Sequence, residues 1–332
     1  MFNAIKKAAK SLFNYDYSPN ILIADAASAI HNGFMKAFDF KSLDDFYRVM
    51  CWSHVDRNCE DNLKSYPSEI REEIMQDIKD IHVMPSRNAF KCAVDLFFEK
   101  WENNEVDLSK FLNHFKNEWI DKNNGWYEGF TEGRNPSTDN GLESVNGVIK
   151  KNHTLRERMS ISQYMTNSLT MIKNWSLDRD ETNEKCEKPF QEKPKIEAFS
   201  WILAYNFFFK DQGEVQYCKQ KKIYIVCKKE NCKYITQNFI GGRYDEMTIG
   251  FEDLIEYNRG VRLVNLNKES WTDSTCSCGW YLKNYNCYHL IVVAVNENLV
   301  QIPNDYKDVP IERKPKRGRK AKAKEALRRN HD

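Results

Sequence analysis

The chain has 332 residues, 41% hydrophobic and 13% aromatic, which is enough to bury cores in two or three domains and too apolar for a disordered protein. Its formal net charge is +2, no apolar run approaches the length of a bilayer span, and the N-terminus lacks a signal-peptide pattern, so a membrane or secreted protein is not expected. Ten cysteines in an intracellular chain point to thiols or metal ligands rather than to disulfides.

Residues 1–13 place Phe2, Ile5, Ala9, Leu12 and Phe13 among lysines, the spacing of an amphipathic helix. Tyr17-Ser-Pro-Asn breaks it. The wholly apolar stretch 21–24 reads as a buried strand with Asp25 at its end. A carboxylate there lies at the rim of a sheet, where α/β folds bind substrates, or it caps the alanine-rich helix that follows; local grounds alone favour the cap. Residues 49–55 form a second short apolar element carrying Cys51 and His54. Their C-x-x-H spacing offers a ligand pair, but no partner pair of matching spacing lies nearby.

Helical periodicity covers 60–81 through Leu63, Ile70, Ile74 and Ile78, then 89–102 and 108–121. The aromatics Phe97, Phe98, Trp101, Phe111, Phe115 and Trp119 at that spacing are core. From Gly125 turn residues dominate until a helix begins near Thr138 or Asp139. Glu143 lies in its first turns, with Asn146 and Lys150 following on the same face. A carboxylate, an amide and a lysine so placed suit a metal-and-phosphate site, while acid first and base later is also what the helix dipole favours.

A helix over 159–177 carries Ile161, Tyr164, Leu169, Ile172 and Trp175. Charged residues with Pro189 and Pro194 make 178–195 a linker, and 196–209 is a very aromatic helix. Residues 215–228 and 233–240 read as the two strands of a hairpin, with another short piece at 247–251. Cys218, Cys227 and Cys232 lack a fourth ligand at sensible spacing and read as buried thiols.

The stretch T-C-S-C-G-W-Y-L-K-N-Y-N-C-Y-H, residues 275–289, holds Cys276, Cys278, Cys287 and His289 as C-x-C, eight residues, C-x-H. Two ligand pairs joined by a short loop supply the closed tetrahedral set of a structural Zn²⁺ site. The alternating segment before it predicts a strand carrying C-x-C, and the apolar run from Leu290 predicts a helix whose first turn carries C-x-H. Over residues 260–298 this resembles the SWIM zinc finger.

Ten of the 50 basic and three of the 48 acidic residues lie in 311–332, so the rest carries 40 basic against 45 acidic, a balance of −5. A basic segment of this kind suits phosphate binding or nuclear import, and a nuclear protein with DNA as partner is expected. Within it Pro315-Lys-Arg-Gly-Arg-Lys resembles an AT-hook, with Lys320 where that motif has proline.

The order I-L-I-A-D-A, C-W-S-H-V, a helical insert, S-T-D-N-G-L-E-S-V-N-G-V-I-K-K, a linker and a SWIM finger resembles a Mutator-like (MULE) transposase over about residues 18–300. The resemblance implies an α/β plus α+β protein: a partial RNase H-like domain over 1–177 with a helical insertion at 60–122, a linker at 178–195, a small α+β region at 196–259, the finger at 260–300 and a disordered basic tail at 311–332. It implies that Asp25 and Glu143 descend from the second and third members of a D-D-E triad, which when complete holds Mg²⁺ or Mn²⁺ for in-line attack at phosphorus. Cys51 and His54 match the family's C-x-x-H. The family's first aspartate lies on an upstream strand, and Asp16, in a turn, does not replace it. The expectation is therefore a truncated, catalytically incomplete DNA-binding derivative. Its alternatives are a transposase component completed by strands from elsewhere and an adaptor that binds proteins through the SWIM finger.

Overall fold

A computed structural model describes residues 1–102, 104–131, 137–153, 157–180, 182, 186, 193–210, 213–230, 240–242, 244 and 249–307. Residues 233–239 of the strand expected over 233–240, Cys232 and the basic segment 311–332 lie outside the described residues, and Ile240 itself is helical. Mixed α/β architecture is what the remainder forms. Among the described residues no helix is long and apolar enough to cross a membrane.

The chain opens with helix α1 (Phe2–Phe13), which meets α2 (Ser28–Phe38) through Phe2 near its start, while Ile5, Leu12 and Phe13 of its apolar face stand exposed. Phe2 meets Phe34 edge-on at 5.4 Å, and Lys6 Nζ donates to Ala37 O near the end of α2 at 3.2 Å. Strands β1 (Ile21–Ala24) and β2 (Tyr47–Met50) flank α2 and pair in parallel, Ile21 with Tyr47 through Ala24 with Met50. A parallel pair needs a crossover, and α2 supplies it. Leu22, Ala24, Phe34 and Phe46 form a small core of their own.

Residues 52–82 form two helices, α3 (Trp52–Leu63) and α4 (Ser68–His82), where sequence periodicity predicted one continuous helix over 60–81. Pro67 sits between them, and proline both lacks a donor and pushes the residue before it out of helical geometry. Helices α5 (Arg87–Glu102) and α6 (Ser109–Phe115) follow, the latter running on through a wider turn over Lys116–Lys122. Their aromatics fill the main core as predicted: Phe97, Trp101, Phe111, Phe115 and Trp119 are buried, each worth about 1.5–3 kcal/mol or more against exposure. Trp126 joins them, its indole N–H donating to Trp119 O at 2.7 Å.

Helices α7 (Asn140–Val148) and α8 (Ile161–Leu177) are packed differently. Among the α8 residues only Met171 is buried, while Ile161, Tyr164, Leu169 and Ile172 stand exposed. Helical spacing predicted this helix correctly; burial of its apolar face did not follow.

The C-terminal part is built on a four-stranded antiparallel sheet, β3 (Gly213–Cys218), β4 (Ile223–Lys228), β5 (Val261–Asn265) and β6 (Thr275–Cys276), in that order. The stretch expected as one strand, 215–228, is thus itself a hairpin. It turns through the polar residues 219–222, with Lys222 in the left-handed region at φ 55°. Before the sheet comes α9 (Ala198–Phe209), and α10 (Phe251–Gly260) leads into β5.

This sheet joins the two halves of the molecule. Side chains alternate across a strand, so successive residues of β4 enter different cores. Ile225, Cys227 and Val261 face the helical core of α3–α6, whereas Tyr224, Val226 and Val264 face the core built by α9 and the C-terminal residues. Helix α10 is fixed to the helical body by charge: Arg259 reaches both oxygens of Asp80 at 2.6 and 2.7 Å, and Lys100 bridges Asp77 at 2.9 Å and Glu252 at 2.8 Å.

Candidate metal centre

Four ligand residues are gathered where β6 ends and two helices begin. Cys276 is the last residue of β6. Cys278 is the N-cap of α11 (Gly279–Asn284), and its Sγ accepts from Tyr281 N at 3.3 Å. Cys287 is the N-cap of α12 (Tyr288–Asn296), and His289 lies in its first turn. The C-x-H pair opens a helix as the sequence pattern predicted, whereas of the C-x-C pair only Cys276 lies on a strand and Cys278 caps α11, a helix the pattern did not show.

Local packing explains why these positions converge. Ser277 clamps β6 to β5: its N–H donates to Leu263 O and its hydroxyl accepts from Leu263 N, both at 2.9 Å. The intervening loop is closed by Asn267 N donating to the buried Ser274 Oγ at 2.9 Å. After α11 the chain reverses at Tyr285, in the left-handed region at φ 57°, which returns Cys287 toward Cys278. Helix α12 then sinks Leu290, Ile291, Val292 and Val293 into the second core. That burial holds Cys287 and His289 in place, at about 1.5–3 kcal/mol for each such side chain.

All four ligand atoms lie within 4.8 Å of one another, and all four residues are buried, the most exposed being His289 at 7%. Burial pushes the Cys276 and Cys287 thiols up and the imidazole of His289 down. Cys278 is held well below the usual thiol range by hydrogen bonds from Cys276, then Cys287, with His289 adding to them. His289 Nδ1 is shut off from water and lacks a hydrogen-bond partner. Three sulfurs and an imidazole, buried together with an orphaned ring nitrogen, fit one tetrahedral Zn²⁺ with no open position. No disulfide links the described cysteines.

Such an arrangement is that of a Cys₃His zinc finger and is consistent with a structural Zn²⁺. More particularly, residues 263–298 match the SWIM zinc finger. No curated protein and no solved structure matches the chain.

The finger is docked on the helical body through α11. His82 is stacked on Trp52, ring centroids 4.0 Å apart, and its Nδ1 lies 2.6 Å from Trp126 O. Its Nε2 faces Glu128 Oε1 at 3.1 Å without hydrogen-bond alignment, both side chains enclosed, and Lys283 of α11 approaches the same carboxylate at 3.9 Å. A cleft of about 370 Å³ runs along this junction between Pro85 and Thr131 on one side and Ser277 and Tyr285 on the other.

Asp25 stands one residue past β1, half-buried, its Oδ1 accepting from Ala27 N at 3.4 Å; the N-cap of α2 is Ala27 itself. Glu143 is exposed on the first turn of α7. Neither belongs to a group of clustered metal-ligating atoms among the described residues. A second such group does exist, and it joins Cys51 and His54 to Asp139, a residue that sequence analysis marked only as a helix start.

Proposed function

We propose that this protein is a zinc-stabilised DNA-binding protein derived from a MULE-type transposase, with the finger holding the fold and the basic segment 311–332 meeting the phosphate backbone. The buried Cys276, Cys278, Cys287 and His289 cluster is the observation that carries the zinc part. The ten Lys and Arg of 311–332 in a chain otherwise at −5 support the DNA part and a nuclear location. In this reading Asp25 and Glu143 descend from an acidic triad, and with Asp25 and Glu143 outside any cluster of metal-ligating atoms among the described residues, DNA binding rather than cleavage is the activity assigned.

Titration of a DNA duplex at several salt concentrations tests the proposal. The full chain should show a steep fall of affinity with salt, and deletion of 311–332 should flatten that slope while leaving the finger's zinc in place. An unchanged slope after the deletion defeats the DNA assignment. Incubation with supercoiled DNA and Mg²⁺ or Mn²⁺ should leave it uncut; cleavage lost in Glu143→Gln would instead make the chain an active transposase component. One observation favours the adaptor reading: the apolar face of α8, with Ile161 84% exposed, suits a protein partner.

A further inference from the structure

Cys51, His54 and Asp139 lie outside the finger and are brought together by the fold. Cys51 follows β2 and is the N-cap of α3, His54 lies three residues on in its first turn, and Asp139 is the N-cap of α7. Backbone bonds fix the junction. Cys51 N donates to Ala24 O at 3.0 Å, which ties the ends of β1 and β2, and Trp52 N donates to Ser137 O at 2.9 Å, which brings the start of α7 to the same place.

The result is a thiol, an imidazole and a carboxylate whose ligand atoms all lie within 4.8 Å of one another, with Cys51 Sγ 2.8 Å from Asp139 Oδ1. Cys51 is fully buried, while His54 and Asp139 are half-buried, so the group sits at the rim of the sheet. A purely structural thiol-to-carboxylate hydrogen bond would satisfy Cys51 and Asp139. It leaves His54 Nδ1, which is enclosed and has no hydrogen-bond partner, unsatisfied, and a buried unpaired polar atom is unfavourable. One cation answers all three groups together.

We propose that Cys51, His54 and Asp139 form a second metal site, for a divalent ion of the zinc class, with water in the fourth position. The donor set decides the class of ion. A thiolate with an imidazole selects a borderline metal, whereas Mg²⁺ and Ca²⁺ prefer oxygen throughout. Three protein ligands at a half-exposed rim leave a coordination position for water, unlike the four enclosed ligands of the finger. The carboxylate replaces a third soft ligand, so the site binds more weakly than the finger and fills after it. The proposal rests on this geometry alone and stands or falls apart from the DNA-binding reading.

Cobalt titration of the full chain, after metal removal under reducing conditions, tests it. The first equivalent should give the strong thiolate-to-cobalt absorption of the finger. A second should follow with about one third of that intensity, one thiolate against three. Asp139→Asn and His54→Gln should each abolish the second equivalent and keep the first. A single equivalent in the parent overturns the proposal, as does a second equivalent that persists at full strength in both variants. Should either variant lose its far-ultraviolet circular dichroism, the parent decides alone: a second equivalent with a single-thiolate band upholds the site, and its absence removes it.

Discussion

The finger and the group at Cys51 use similar ligands but are made in different ways. The finger takes four donors from residues 276–289 and encloses all of them, so the site is local in sequence and closed to water. The Cys51 group takes Asp139 from 88 positions away and remains at the rim. Local ligands form a site together with the backbone that carries them, so metal binding and folding are one event. Distant ligands meet only after the surrounding elements have packed, so binding there can be lost without loss of the fold.

Removing two sulfurs from the finger should break the comparison most severely. Cys276→Ser with Cys287→Ser should abolish the finger's zinc, measured by metal analysis, at a cost on the order of 10 kcal/mol of metal-linked folding free energy. Because β4 and β5 also face the helical core, guanidinium unfolding of α3–α6 should shift to lower denaturant as well. A variant that keeps its C-terminal transition would show that the finger folds without its metal.

The junction between the finger and the helical body comes next. Glu128→Ala removes the enclosed carboxylate that faces His82, which stays stacked on Trp52, and should cost about 1–3 kcal/mol in urea unfolding. A loss under about 1 kcal/mol would mean that the two bodies are held by apolar packing alone.

Asp139→Asn should be milder. The rim group is not woven into the main core, so stability should change by about 1 kcal/mol or less and the finger's zinc should stay. A collapse of the whole fold in this variant would erase the distinction between the two groups.

The smallest effect concerns acid. Hydrogen bonding from Lys100 holds the Glu252 carboxyl below its usual range. A carboxyl depressed in the folded state stabilises above its unfolded value and loses that contribution as pH falls through the folded one. Urea midpoints of the parent and Glu252→Gln should therefore differ at neutral pH and converge below pH 4.5, the ordinary value. A constant gap across that window would assign the effect to packing of α10 instead.

Sequence alone determined the elements whose cause is local. Four ligands within 14 positions, flanked by an alternating stretch and an apolar run, specify strand, site and helix together. The aromatics of α5 and α6 at helical spacing identified the main core, and the apolar run at 21–24 identified β1. Residues 215–228 were legible as extended chain but not as a hairpin, because the polar turn at 219–222 is short and lacks glycine or proline. Periodicity likewise ran through Pro67, whose break depends on a residue that does not alter the apolar pattern on either side.

Tertiary structure alone decided what crosses the chain. It set β4 between two cores, enclosed His82 against Glu128, left the apolar face of α8 exposed, and carried Asp139 to Cys51. Spacing reports which side chains share a face of one element, whereas the partner of that face is chosen by the packing of all elements together. Cys51 and His54 therefore looked like half of a ligand set, and the residue beside them was fixed by two distant helices starting at the same sheet edge.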